Sequence, residues 1–205
     1  LVAGPWAATD APFTLNPSYF SPRAFGLLAS ATERPAWSDL QASAYEVVDR
    51  LTATQVALPP DWARVEPSGE VRASPAPGTQ DTPRFGYDAV RVLIRMGVDC
   101  EARGRELAAR AWPFLRDQLD GGLVDVYGLG GERIGQAPHP VTLVAAAAAA
   151  HAAGDRDAIV ELLASAEQLD RQRPTYYGAA WVALGRVLLT TDLLQECPAP
   201  SVHAT

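Results

Sequence analysis

Apolar residues recur along much of this chain at steps of three and four, the spacing that lines one face of a helix. The clearest run is Trp37, Leu40, Ala44, Val47, Val48 and Leu51, which predicts a helix over 37–54 with Pro59-Pro60 beyond its end. A short helix is expected after Pro22, because Pro suits a first helical turn. Helical patterning resumes at 87–98 and at 101–118, where Leu107, Ala108, Ala111, Leu115 and Leu119 share a side and Gly121-Gly122 ends the run. Three further helices are expected at 140–153, 156–169 and 175–189, with Gly154-Asp155 turning between the first two.

The intervals between these runs lack the pattern. The segment from Gly4 to Pro17 is broken by Gly and Pro and reads as loop. So does 63–83, which is poor in apolar residues and carries Pro67, Ser68, Gly69, Pro75, Pro77 and Gly78; a loop of that length is often functional. In 123–136, Val124, Val126 and Tyr127 precede Gly128, Gly130 and Gly131, and Ile134 follows, which predicts a small β-hairpin. Residues 1–195 are expected to form one domain and 196–205 a flexible tail. Six or seven helices joined by short turns imply an all-α fold of antiparallel helix pairs. No repeat consensus recurs at a fixed period, so a closed helical toroid is favoured over an open solenoid.

Composition narrows this picture. With 205 residues, 48% hydrophobic and 20% charged, the chain can bury a sizeable core. A formal net charge of −7 excludes the basic face that nucleic-acid or anionic-membrane binding needs. The longest apolar run, 141–153, falls short of the roughly 18–20 residues of a membrane span. The only Met is Met96, so Leu1 is not expected to be a translation start. Cys100 and Cys197 either form one bridge pinning the tail or remain two thiols; that choice turns on a distance. His139, His151 and His203 lack metal-ligand spacing, so no metal or cofactor is expected. No Gly-x-Ser-x-Gly elbow occurs, and Gly128-x-Gly130-Gly131 fits a hairpin turn better than a phosphate loop.

Three strings stand out in order: Asn16-Pro17-Ser18-Tyr19-Phe20-Ser21-Pro22, then Tyr87-Asp88-Ala89-Val90-Arg91-Val92, then Pro174-Thr175-Tyr176-Tyr177-Gly178. With Leu58-Pro59-Pro60-Asp61-Trp62 they resemble glycoside hydrolase family 8, over about Gly4 to Leu189 and over the C-terminal portion of the family domain. The resemblance implies an (α/α)6 barrel, a secreted or cell-envelope location and inverting cleavage of a β-linked polysaccharide such as a β-1,4-glucan. The chain departs from the family at Leu93, where Pro is usual, and it lacks the family's Glu-Gly-x-x-Tyr acid motif and Asp-rich signature. A companion N-terminal segment carrying the acid is therefore the expected partner. Half a barrel alone would expose the apolar faces of its helices.

Inverting hydrolysis needs two carboxyl groups, a general acid and a general base that activates water, roughly 6.5–9.5 Å apart. The resemblance assigns the base to Asp88, with Tyr87 and Arg91 supporting it. On spacing alone, the favoured reading is that Asp88 helps begin a helix, with Arg91 as its i,i+3 ion-pair partner. Tyr19, Tyr177, Tyr176 and Trp6 are candidates for stacking on sugar faces. Asn16 is expected to shape its own loop, Asp61 and Trp62 to be cleft rim or structural, and Trp37, Trp112 and Trp181 to be core. Two other readings stay open: a polysaccharide-binding or scaffold protein that kept the barrel, and another barrel enzyme, such as a lyase, with Tyr as base.

Overall fold

The computed structural model describes residues 1–194 and Cys197; the expected tail at 196–205 otherwise lies outside the described residues. Among them are eight α-helices: α1 (Pro22–Thr32), α2 (Pro35–Leu51), α3 (Val90–Gly97), α4 (Ala102–Ala109), α5 (Trp112–Asp117), α6 (Pro140–Ala153), α7 (Arg156–Gln172) and α8 (Tyr176–Thr190). Pro stands in the first turn of α1, α2, α5 and α6. Asp155 and Thr175 cap α7 and α8 by accepting from Ala158 N–H (3.3 Å) and Gly178 N–H (2.9 Å). Gly154, at φ +80°, takes the left-handed conformation that ends α6 and starts the turn into α7.

Helix α6 is the hub, packing against α3, α4, α5, α7 and α8. Its run Ala145–Ala150 is buried throughout. A helix that is apolar all round has to be enclosed, and alanine lets five neighbours approach its backbone. The larger core surrounds it with Leu93, Ile94, Leu115, Trp112, Leu162 and Leu163. A second cluster joins α1 and α2 to the strands through Phe20, Phe25, Val48, Leu51 and Leu107. Trp112 is core as expected, whereas Trp37 is half-buried against Phe25 and Trp181 borders Tyr177.

Several expectations need correction. The stretch 63–83 is not all loop: β2 (Trp62–Val65) and β3 (Val71–Ser74) form a hairpin, and β1 (Phe13–Leu15) from the expected N-terminal loop pairs with β2 to complete an antiparallel sheet, Leu15 opposite Ala63. The expected hairpin at 123–136 does turn back on itself, with Gly128 and Asp125 N–H donating to the Glu132 and Ala137 carbonyls and Ile134 and Gly135 N–H to that of Val126. Its first limb, β5 (Tyr127–Gly128), also pairs with β4 (Arg84–Phe85), which was not expected. The helix over 101–118 is two helices, because Pro113 has no N–H to continue the ladder and α5 restarts around it. The 87–98 helix begins only at Val90, after a turn over 86–89.

The choice left open for the cysteines resolves as a disulfide, with Cα atoms 5.6 Å apart across 97 residues. Closing so long a loop constrains the unfolded chain. Cys100→Ser is expected to cost about 2–4 kcal/mol, roughly 5–15 °C of Tm for a chain of this size. Thermal melts with and without reductant check it: wild type should fall to the variant's Tm on reduction, and the variant should not move.

Candidate active site

The turn before α3 leaves its first N–H groups without helical partners. Ala89 precedes the helix and offers no side-chain cap. The acceptor comes from Asp61, just ahead of β2. Its Oδ1 takes the N–H groups of Gly86 (3.1 Å), Asp88 (3.1 Å) and Ala89 (2.8 Å). The helix-starting role open to Asp88 on spacing alone is thus filled by another residue. Burial, then the nearby Asp88 charge, pushes the Asp61 carboxyl upward, against the pull of those amides. Arg84 Nε stands 3.7 Å from its other oxygen.

Asp88 itself is free to face outward, and its side chain keeps 31% exposure. Arg91, one turn along α3, donates to Oδ1. Asn16 donates from Nδ2 to Oδ2 at 3.1 Å, across 72 residues. Asn16 also shapes its own turn, as expected, accepting from the Ser18 N–H (3.1 Å) and hydroxyl (2.5 Å). The Ser18 hydroxyl in turn accepts from Arg91 at 2.7 Å, and Arg95 donates to the Ser18 carbonyl. The 3-10 turn at 17–19, locked by Pro17, therefore orients both the carboxylate and its guanidinium. Arg95 belongs to this scaffold; burial, then Arg91 beside it, lowers its pKa.

Tyr87 lies beside Asp88. Its hydroxyl donates to Asp125 Oδ2 at 3.0 Å, and its carbonyl accepts from Tyr177 at 2.7 Å. Burial and the Asp125 carboxylate push the Tyr87 pKa to about 12, so it serves as a donor and is a poor base near neutral pH. His139 packs edge-on against Tyr87 at 5.0 Å and tilts over Tyr177 at 6.0 Å. Its Nδ1 accepts from Val141 N–H, which leaves the ring proton on Nε2. Burial lowers its pKa, keeping the ring neutral.

Two cavities meet at this pair. One of about 430 Å³ is lined by Tyr87, Asp88, Arg91, His139, Thr175 and Tyr177. The other, about 270 Å³, runs over Trp62, Arg84, Tyr87, Asp88 and the loop around Pro75 and Pro83, with Asp61 in its wall. Of the expected site residues, Asp88, Tyr87, Arg91 and Tyr177 come together, and Asp61 and Trp62 lie at the cleft. Tyr19 is exposed on the turn whose Ser18 holds Arg91, and Trp6 is exposed on the turn at 5–7. Tyr176 is 92% exposed. None of those three lines either cavity. His139 and Asp125 were not singled out for the site; a His between two Pro residues at a helix start was the one available hint, and Asp125 carried none.

Comparison with known proteins agrees with this arrangement. The chain is 28% identical over 153 residues to Endoglucanase 2 of Ruminiclostridium josui, covering 73% of this chain and 31% of that protein. Its fold matches a beta-1,3-1,4-glucanase from Paenibacillus sp. X4 with a TM-score of 0.79 at 16% identity, over 90% of this chain and 52% of that one. An endoglucanase from Komagataeibacter sucrofermentans matches with a TM-score of 0.66 at 21% identity, over 89% of this chain and 53% of that one. The chain thus spans about half the length of those structures and about a third of the curated relative. Its helices form part of the (α/α)6 barrel seen in such proteins. The family model for glycosyl hydrolases family 8 matches residues 1–115, which hold β1 and its following turn, Asp61 and the whole Tyr87–Arg91 string. The chain belongs to glycosyl hydrolases family 8.

Proposed function

We propose that this chain supplies the base side of an inverting glycosidase acting on a β-1,4-linked, cellulose-like glucan. Asp88 takes the proton of the attacking water, Arg91 and Asn16 fix its carboxylate, and Tyr87, Tyr177 and His139 line the sugar-binding wall. The observation that carries this reading is the division of labour at the α3 start: Asp61 caps the helix and Asp88 does not. A carboxylate left half-exposed at a cleft, with one partner on each oxygen and lone pairs to spare, suits proton abstraction from water. The names of the relatives, endoglucanases and a mixed-linkage glucanase, support the substrate class.

Asp61 holds three amides, Asp125 accepts from Tyr87 on one oxygen and leaves the other without a partner, and Asp81 sits 4.0 Å from Arg84 at the loop rim. None of them stands in a Glu-Gly-x-x-Tyr setting, so the general acid of this proposal is assigned to a companion N-terminal segment. An apolar groove of about 420 Å³ between α1, α3 and α8, edged by Leu27 and Leu184, supports such a companion, since covering it would bury both side chains. A polymeric substrate and an oxidised cysteine pair both favour an extracellular location.

The test is the stereochemistry of the first product. Full-length protein hydrolysing a cello-oligosaccharide in an NMR tube is expected to release the α-anomer first, before mutarotation. Release of the β-anomer first would overturn a single displacement and with it the role of Asp88 as water-activating base.

A further inference from the structure

Asp61 stands 27 residues before the proposed base, yet its side chain accepts from that residue's backbone N–H at 3.1 Å. One oxygen gathers three N–H groups of a single turn. Gly86 permits the approach: a Cβ there would lie 2.6 Å from Asp61 Oδ2, inside any normal contact. Without Asp61 these three amides would have no side-chain acceptor, and the 86–89 turn that carries Asp88 would be free to shift, taking the carboxylate away from Arg91 and Asn16.

We infer that Asp61 is a positioning residue for the base: by occupying the amides of the 86–89 turn it keeps the Asp88 carboxylate turned into the cleft. Arg84, facing the second Asp61 oxygen, balances the charge brought in for this purpose. The inference rests on the reading of Asp88 as base, and it adds a residue that touches neither water nor sugar. Its effect falls on the chemical step. A base displaced by about 1 Å costs on the order of 10²-fold in rate, whereas the sugar contacts of Tyr87, Tyr177 and His139 stay in place.

Four variants of the full-length protein, assayed on soluble β-glucan with thermal melts alongside, test it. Asp61→Ala is expected to lower kcat by about 10–100-fold with KM within about twofold. Asp61→Asn keeps an oxygen facing the three amides and is expected to recover most of kcat. Gly86→Ala, which displaces Asp61 without altering it, is expected to reproduce the Ala kinetics.

Wild-type kcat in Asp61→Ala, or a kcat in Asp61→Asn as low as in Asp61→Ala, overturns the inference. Should Asp61→Ala fail to fold, the Gly86→Ala kinetics decide in its place: wild-type kcat there overturns it. Asp88→Asn, the fourth variant, separates the two claims. If it keeps activity, the base assignment falls; if it is inactive while Asp61→Ala is normal, only the role of Asp61 falls.

Discussion

Asp88→Asn is expected to slow β-glucan hydrolysis by the full-length protein by about 10²–10⁴-fold, the usual worth of a positioned general base. The amide is nearly isosteric with the carboxylate, so the cleft keeps its shape. It cannot take a proton from water. Only one of its ends can accept a hydrogen bond, so either Arg91 or Asn16 loses an acceptor. KM should change little, since the sugar contacts assigned to Tyr87, Tyr177 and His139 are untouched. Had Asp88 merely started α3, both kcat and the melt would stay near normal, because Asn caps a helix as well as Asp does. Asp61 in any case provides that cap, so the melt of Asp88→Asn should stay close to wild type. Kinetics therefore discriminate the two roles, and the melt shows that a lost rate is not lost folding. Retained hydrolysis would remove Asp88 from the chemistry. A wild-type protein that binds β-glucan without ever cutting it would instead favour the polysaccharide-binding reading.

The way this site is assembled explains how much of it could be read in advance. Asp88 and Arg91 are i,i+3 neighbours, so their meeting is visible in the spacing, and the structure makes the pair. Asn16 and Asp88 are 72 residues apart, and nothing local links them; only the family strings placed both in one reading. Asp61 was harder still. It acts on backbone N–H groups, and a backbone donor looks the same whatever residue bears it. The helices α6, α7 and α8 were legible because each carries its own start or stop signal, in Pro140, Gly154, Asp155 and Thr175. The strands β2 and β3 were not. Four residues give an alternating pattern only two inward positions, and the Pro- and Gly-containing turn between them masks even those. The 123–136 hairpin was legible from its turn residues, but its pairing with β4 was not, because no local signal identifies Phe85 as the partner of Tyr127.

The second large effect is expected from a backbone contact between two helices. Gly97, the last residue of α3, faces the backbone of α6: a Cβ added there would lie 2.6 Å from the Ala148 carbonyl oxygen and 3.2 Å from the Ala148 Cβ. Both sides of this contact are rigid, being a helix end and the middle of the all-alanine hub. Nothing can rotate away, so the helices have to separate. Gly97→Val is expected to cost about 3 kcal/mol, at the upper end for overpacking, or roughly 6–12 °C of Tm. Gly97→Ala, whose single methyl already meets the carbonyl, should cost less and fall between. The loss should extend to function. Helix α3 carries Arg91 and begins directly after Asp88, while α6 begins directly after His139, so any shift between them moves the base relative to the sugar-binding wall. At a temperature where Gly97→Val remains folded, kcat should therefore drop by on the order of 10-fold or more, the sensitivity expected of a displaced catalytic group. A melt within about 2 °C of wild type would show that α3 and α6 are not in close contact. A lowered melt with unchanged kcat would show that their contact holds the barrel together without setting the position of Asp88.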